Sequence, residues 1–240
     1  MSRSDVQSYY KQSDQSGEQY NARRFASRGG RAVSELELRP FRQWLTFDPP
    51  QRLLDLGSGT GRVLSALPPA VRAKATAVDA SPAMLDYLKA TYPDVALMAG
   101  DLFTFQPEGR FDAITSLRVL DHFPLADQEL LLKRFMNFLQ PGGRLIISFL
   151  VRPTLESWAN RMSKAGHMNY FQSRSEYRQL FARCGLKVDR TFNVFVLPRG
   201  IVYRLPGVLV APMVCLDRAV GRLAPRLCSY MTCQLTRADA

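Results

Sequence analysis

Apolar positions along the chain gather into short runs, and the period of those runs changes from segment to segment. Residues 1–20 are polar and are expected to be loosely ordered. Residues 32–47, AVSELELRPFRQWLTF, carry apolar side chains at roughly helical spacing, with a break expected near Pro40. Asp48-Pro49-Pro50 closes that segment. QRLLDLG (51–57) then reads as a short apolar strand ending in glycine, and residues 60–67 start a helix stopped by Pro68-Pro69. KATAVDA (74–80) is strand-like. In SPAMLDYLKATYP, Ser81 suits an N-cap and Pro82 the first helical position. DVALMAGD (94–101) and FDAITSL (111–117) read as the third and fourth strands. The run from Pro124 reads as a helix, with apolar Leu131, Leu132, Phe135 and Leu139, closed by Pro141-Gly142-Gly143. RLIISFLV (144–151) is apolar throughout, as a strand buried on both faces should be.

This alternation implies βαβ units, hence an α/β fold with a parallel sheet wound by helices. Ligands of such sheets bind at the carboxyl ends of the strands. Asp55 to Gly61, Asp79, Asp101 and Ser116 all fall at those ends. The last third differs. SRSEYRQLFARCG holds a capping box, Ser173 with Glu176, and a helix closing at Gly185. LKVDRTFNVFVL (186–197) and SYMTCQLTR (229–237) read as strands. The stretch between them is too long for a hairpin loop and too apolar for a disordered one.

Composition adds three constraints. A chain of 240 residues favours one sizeable core. There is no apolar run long enough to span a bilayer and no apolar signal core at the N-terminus, so a cytoplasmic protein is expected. The four cysteines, Cys184, Cys215, Cys228 and Cys233, form no C-x-x-C pair and have no neighbouring histidine, so buried free thiols are expected rather than a zinc site or a disulfide framework. The net charge of +11 is concentrated: residues 141–240 hold 15 Lys/Arg against 5 Asp/Glu. A basic half suits nucleic acid, an anionic membrane surface or an acidic substrate, or is simply a solvated arginine-rich surface.

The chemistry centres on RLLDLGSGTGRV, Arg52 to Val63. Its glycines follow G-x-G-x-G. The dinucleotide fingerprint wants a glycine where Arg62 stands, and the phosphate loop wants a Gly-Lys-Ser/Thr ending. Asp55 separates the remaining readings, because a carboxylate two residues before Gly57 repels a pyrophosphate and suits a ligand with a cationic end. Asp79, at the end of the second strand, suits the two hydroxyls of a ribose. A nucleoside with a positively charged amino-acid tail matches both, and S-adenosylmethionine is that molecule. Two carboxylates at the ends of adjacent apolar strands are costly without such a use.

LLDLGSGTGRV with AVDAS, MAGDL, FDAITSLRVLDHF and LQPGGRLIISF resembles the class I S-adenosylmethionine-dependent methyltransferases over roughly residues 50–150, with some likeness to the ubiquinone-pathway group. The resemblance implies a doubly wound, seven-stranded, mostly parallel Rossmann-like sheet with an antiparallel last strand. It divides one domain, 1–240, into a helical cap (1–48), a cofactor-binding core (49–151) and a substrate-side half (152–240) carrying an insertion at 198–228. It implies a floor of Gly57, Ser58, Gly59 and Gly61 under the methionine and ribose, with Asp55 toward the amino-acid end and Asp79 on the ribose. Asp101 then lies near the adenine amino group, Met84 and Leu102 beside the ring unless they are ordinary core packing, and Ser116 and Leu117 along the methionine.

The expected activity is methyl transfer to a small, lipophilic acceptor at oxygen or nitrogen. His122 is either a general base or a structural histidine closing its loop. Where ubiquinone-pathway relatives hold a divalent metal on Glu-x-x-Glu-His, this chain has Arg118 in place of the first carboxylate, so no catalytic metal is expected. Tyr20, Arg24 and Arg31 resemble a lead-in that closes over the cofactor, and His167 lies where relatives contact substrate. The insertion reads as a substrate lid or a foot on an anionic membrane. RNA or protein methylation is the alternative; no added RNA-binding module and no interleaving of aromatic with basic residues speaks for it.

Overall fold

The computed structural model describes residues 16–162 and 169–238. The expectation for residues 1–15 therefore lies outside the described residues, as does that for His167. Two helices come first, α1 (Gly17–Phe25) and α2 (Arg28–Phe47). Ser16 and Ser27 cap them, their hydroxyls accepting from the N–H of Gln19 and Gly30. Contrary to expectation, α2 continues through Pro40. Proline removes the N–H that the Leu36 carbonyl would accept, a loss of about 3 kcal/mol. Val33, Leu36, Phe41, Trp44 and Leu45 are buried on both sides of it, at roughly 1.5–3 kcal/mol each, and outweigh that loss.

The alternating part follows: β1 (Leu53–Leu56), α3 (Arg62–Ser65), α4 (Pro69–Arg72), β2 (Ala75–Asp79), α5 (Pro82–Thr91), β3 (Ala96–Ala99), β4 (Phe111–Leu117), α6 (Leu125–Phe138) and β5 (Leu139–Arg152). The last third contributes α7 (Leu155–Met162), β6 (Gln172–Ser173), α8 (Arg174–Arg183), β7 (Leu186–Val194), α9 (Arg199–Val202), α10 (Gly207–Leu223) and β8 (Tyr230–Arg237). The sheet order is β3-β2-β1-β4-β5-β8-β7, and the two-residue β6 pairs with the end of β5. The seven expected strands are thus joined by a short eighth. β8 runs antiparallel to both β5 and β7; the pairings among β1 to β5 are parallel.

Alternation along β1 builds the two faces. Leu54 and Leu56 enter a core with α6 and α8, whereas Leu53 enters one with α2 and α5. Asp55 shares the Leu53 face. Pro141-Gly142-Gly143 does not close a helix. α6 ends at Phe138, and the chain passes directly into β5, with the three residues forming an irregularity between the Phe111–Leu139 and Ala113–Arg144 pairs. The capping box at Ser173 and Glu176 forms as expected. The 198–228 stretch folds into α9, α10 and a 3₁₀ turn (Pro225–Leu227). Buried Asp217 ties it down, accepting the N–H groups of Phe195 (2.7 Å) and Val196 (2.6 Å) just past β7. The four cysteines carry free thiols. Among the described residues no helix is long and apolar enough to cross a membrane.

Candidate active site

The strand order reverses between β1 and β4, and the expected site residues converge there, at the carboxyl ends of neighbouring strands. The glycine turn leaves β1 with the N–H groups of Gly57 and Ser58 both donating to the Val78 carbonyl, at 2.9 and 3.0 Å. Gly57 has φ +68°, and a Cβ there would meet Val119 at 2.5 Å. Gly59 has φ +54°, but the space a Cβ would fill is open. The turn is therefore closed against the β4 loop at one glycine and bare at the next, which leaves backbone exposed for a ligand. Gly61 begins α3 in the left-handed conformation.

Both predicted carboxylates lie beside this turn. Asp55 is buried; its Oδ1 accepts the Thr115 hydroxyl at 2.6 Å and its Oδ2 has no partner among the described residues. Burial pushes its carboxyl up to about 7, against the Thr115 bond, with the charge of Asp79 raising it further. An ionised carboxylate oxygen left without a donor fits a cationic ligand group. Asp79 holds the turn, accepting Gly59 N–H on Oδ2 (2.8 Å) and Ser81 N–H on Oδ1 (2.9 Å). Burial raises its pKa too, and those N–H groups oppose the rise. Each oxygen keeps a lone pair for a further donor. Ser81 stands at the N-cap of α5 without a capping bond from its hydroxyl.

The remaining predicted residues are placed as follows. Ser58 is buried, its hydroxyl on the Val78 carbonyl; Ser116 is buried, its hydroxyl on the Leu56 carbonyl. Leu117, at the end of β4, packs against two apolar clusters on the α2 face of the sheet. Met84 is half-buried on α5. Asp101 follows β3 and accepts Phe103 N–H at 2.9 Å, and Leu102 packs against the core. His122 is half-buried in the 3₁₀ turn Leu120–His122. Of the lead-in, Tyr20 is half-buried, with Arg24 over its ring, whereas Arg24 and Arg31 are exposed. Arg31 donates to the Ala26 carbonyl within its own helix junction. α1 meets the turn elsewhere: Asn21 accepts the Thr60 hydroxyl and donates to Tyr87.

A buried ionic cluster beside β4 went largely unforeseen. Glu37 of α2 accepts from Arg62 (2.7 Å) and Arg199 (2.9 Å) and lies 3.6 Å from Arg118. Arg118 follows β4 with φ +61° and reaches Asp121 at 2.9 Å. Burial pushes Asp121 up to about 6, with the Arg118 charge opposing it. Glu156 of α7 takes the second arm of Arg199 at 3.2 Å. The sequence did hold one signal: Glu37 stands four residues from Val33 and from Phe41, a lone carboxylate on an apolar helical face. Its partners are remote in sequence and share no spacing with it. Among the described residues, no group of three or more His, Cys, Asp or Glu is placed to hold a metal ion.

A family model for a methyltransferase domain matches residues 20–191. The chain is 29% identical over 184 residues to a trans-aconitate 2-methyltransferase of Methylobacterium radiotolerans, covering 69% of this chain and 67% of that one. It is 32% identical over 111 residues to a ubiquinone biosynthesis O-methyltransferase of Xanthomonas campestris, which spans 43% of this chain and less than half, 45%, of that enzyme. Among solved structures, magnesium protoporphyrin IX methyltransferase from Synechocystis with bound SAH shares the fold, with TM-score 0.67, 15% identity and coverage of 98% of this chain and 100% of that one. The bare glycine turn, the unpartnered oxygen of Asp55 and these likenesses agree, and the chain belongs to the methyltransferase domain family as a class I S-adenosylmethionine-dependent methyltransferase.

Proposed function

We propose that this enzyme methylates a hydroxyl or amine of a small, lipophilic acceptor. One observation carries the reading. Leu117, at the end of β4, packs against an apolar cluster that joins the cap to the insertion: Val33 and Leu36 of α2, Val202, Tyr203 and Val214. The cap and insertion thus bring oily side chains to the carboxyl end of β4, which favours an apolar acceptor there. The trans-aconitate, ubiquinone-biosynthesis and magnesium-protoporphyrin enzymes it resembles support a small acceptor, and two of those names do not fix oxygen over nitrogen.

When bound, S-adenosylmethionine supplies an electrophilic methyl group on a sulfonium. The rest falls to this chain's residues. Asp55 balances the ammonium of the amino-acid end. Gly57, Ser58, Gly59 and Gly61 leave room for methionine and ribose against bare backbone. Asp79 accepts from the ribose hydroxyls with the lone pairs the turn leaves it. Asp101, Leu102 and Met84 hold the adenine, and Ser116 and Leu117 border the methionine. Holding acceptor and donor in line supplies much of the rate. His122 takes the acceptor's proton. No metal takes part, since Arg118 already engages Asp121.

A radiolabelled methyl-transfer assay against separated lipid, polar-metabolite, RNA and protein fractions of the host tests this. Label is expected in a small, solvent-extractable product. Label confined to RNA or protein would replace this reading with the macromolecular one.

A further inference from the structure

α10 presents two unlike surfaces, an apolar outer side and, on the flank that faces α2, a basic groove. Its outer face carries Val208, Leu209, Leu216 and Leu223, which are 78%, 50%, 57% and 88% exposed and share one side of the helix at intervals near the helical repeat. Between α10 and α2 runs a groove of about 660 Å³, bordered by Arg28, Arg39 and Arg42 of α2 and Arg218 of α10, with Glu35 as its one acid. Glu35 pairs with Arg42 at 2.7 Å. Among the described residues Arg28, Arg39 and Arg218 have no carboxylate within ion-pair distance. Arg39 is crowded: partial burial, then the charges of Arg218 and Arg222, lower its pKa. Asp217, the only acid in 198–228, is buried against Phe195 and Val196 and neutralises nothing in the groove.

We propose that this surface docks the protein on an anionic lipid membrane, with the groove arginines taking headgroup phosphates and the outer face of α10 entering the acyl boundary. A helix with an apolar side bordered by arginines is built for that plane. A second copy of the chain is disfavoured as the occupant, because a two-fold contact would bring the same arginines against one another. Nucleic acid would use the arginines but leave the aliphatic side uncovered, and that side offers no aromatic ring for a base. Docking of this kind requires no particular methyl acceptor.

Co-sedimentation of the full chain with phosphatidylcholine vesicles, with and without phosphatidylglycerol, tests it at low salt. Binding is expected only to the phosphatidylglycerol vesicles, and free glycerol phosphate is not expected to displace it. Arg39→Gln with Arg218→Gln should weaken binding about thirtyfold, at about 1 kcal/mol per surface arginine. Leu209→Ser with Leu216→Ser should also weaken it, and Arg190→Gln, on exposed β7, should not. Unchanged S-adenosylmethionine binding in calorimetry shows each variant folded and separates this inference from the cofactor reading. Equal binding to neutral vesicles, wild-type binding by the arginine pair, or a dimer lost in the leucine variant would each overturn it.

Discussion

Asp55 is buried with one hydrogen bond, from the Thr115 hydroxyl, so its charge is unfavourable without a cation beside it. Between the ordinary carboxylate range and about 7, the folded chain holds a proton there that the unfolded chain has lost. Its contribution to stability is therefore complete at low pH and falls away as pH rises through about 7. Asp55→Asn should raise the thermal midpoint of the ligand-free protein at pH 8, by on the order of 5 °C. The same change should weaken S-adenosylmethionine binding by about ten- to a hundredfold. Wild-type affinity should rise between pH 6 and 8 while that of the variant stays flat; calorimetry that shows parallel profiles would dissociate Asp55 from the amino-acid end. Arg118 supports a second prediction. Because its guanidinium engages the Asp121 carboxylate, activity should survive exhaustive chelation, and recovery by added magnesium would show that a metal displaces that pair. Asp55 and Arg118 stand out in the sequence because each sits next to its strand end. Arg118's left-handed φ does not, since nothing in LRVLDHF demands it.

At the scale of elements, the strands were read well and the helix boundaries less so. β4 falls where FDAITSL placed it. The break expected at Pro40 does not form because a proline rule is local, whereas the burial that overrides it comes from the sheet beneath. α2 also holds the ionic cluster together. Glu37→Gln leaves Arg62, Arg118 and Arg199 facing only Asp121 and Glu156. Breaking a buried charge cluster costs about 3–5 kcal/mol, so the thermal midpoint should fall by about 10 °C. Differential scanning calorimetry would show it; a shift within a degree would mean that the three arginines find water instead. Glu37→Gln should also loosen the cap, because α2, the start of α3 and α9 meet at that one carboxylate.

Across the whole molecule, the parallel half was readable because its hydrophobic runs and punctuation are local. The later half was not, because the chemistry of 198–228 depends on α2, more than 150 residues earlier in the chain. The basic excess of the last hundred residues is likewise partly internal. Arg199 is consumed by Glu37 and Glu156, and Arg174 by the carbonyls of Pro225 and Cys228. The placement of β8 has a consequence for biosynthesis. It lies between β5 and β7 yet follows both in the chain. As the chain leaves the ribosome, β7 emerges with no neighbour to join, and β5 waits with a long unpaired edge. Only when residues 230–237 arrive does one strand fill both vacancies, so the antiparallel half assembles last, around a parallel half already able to close.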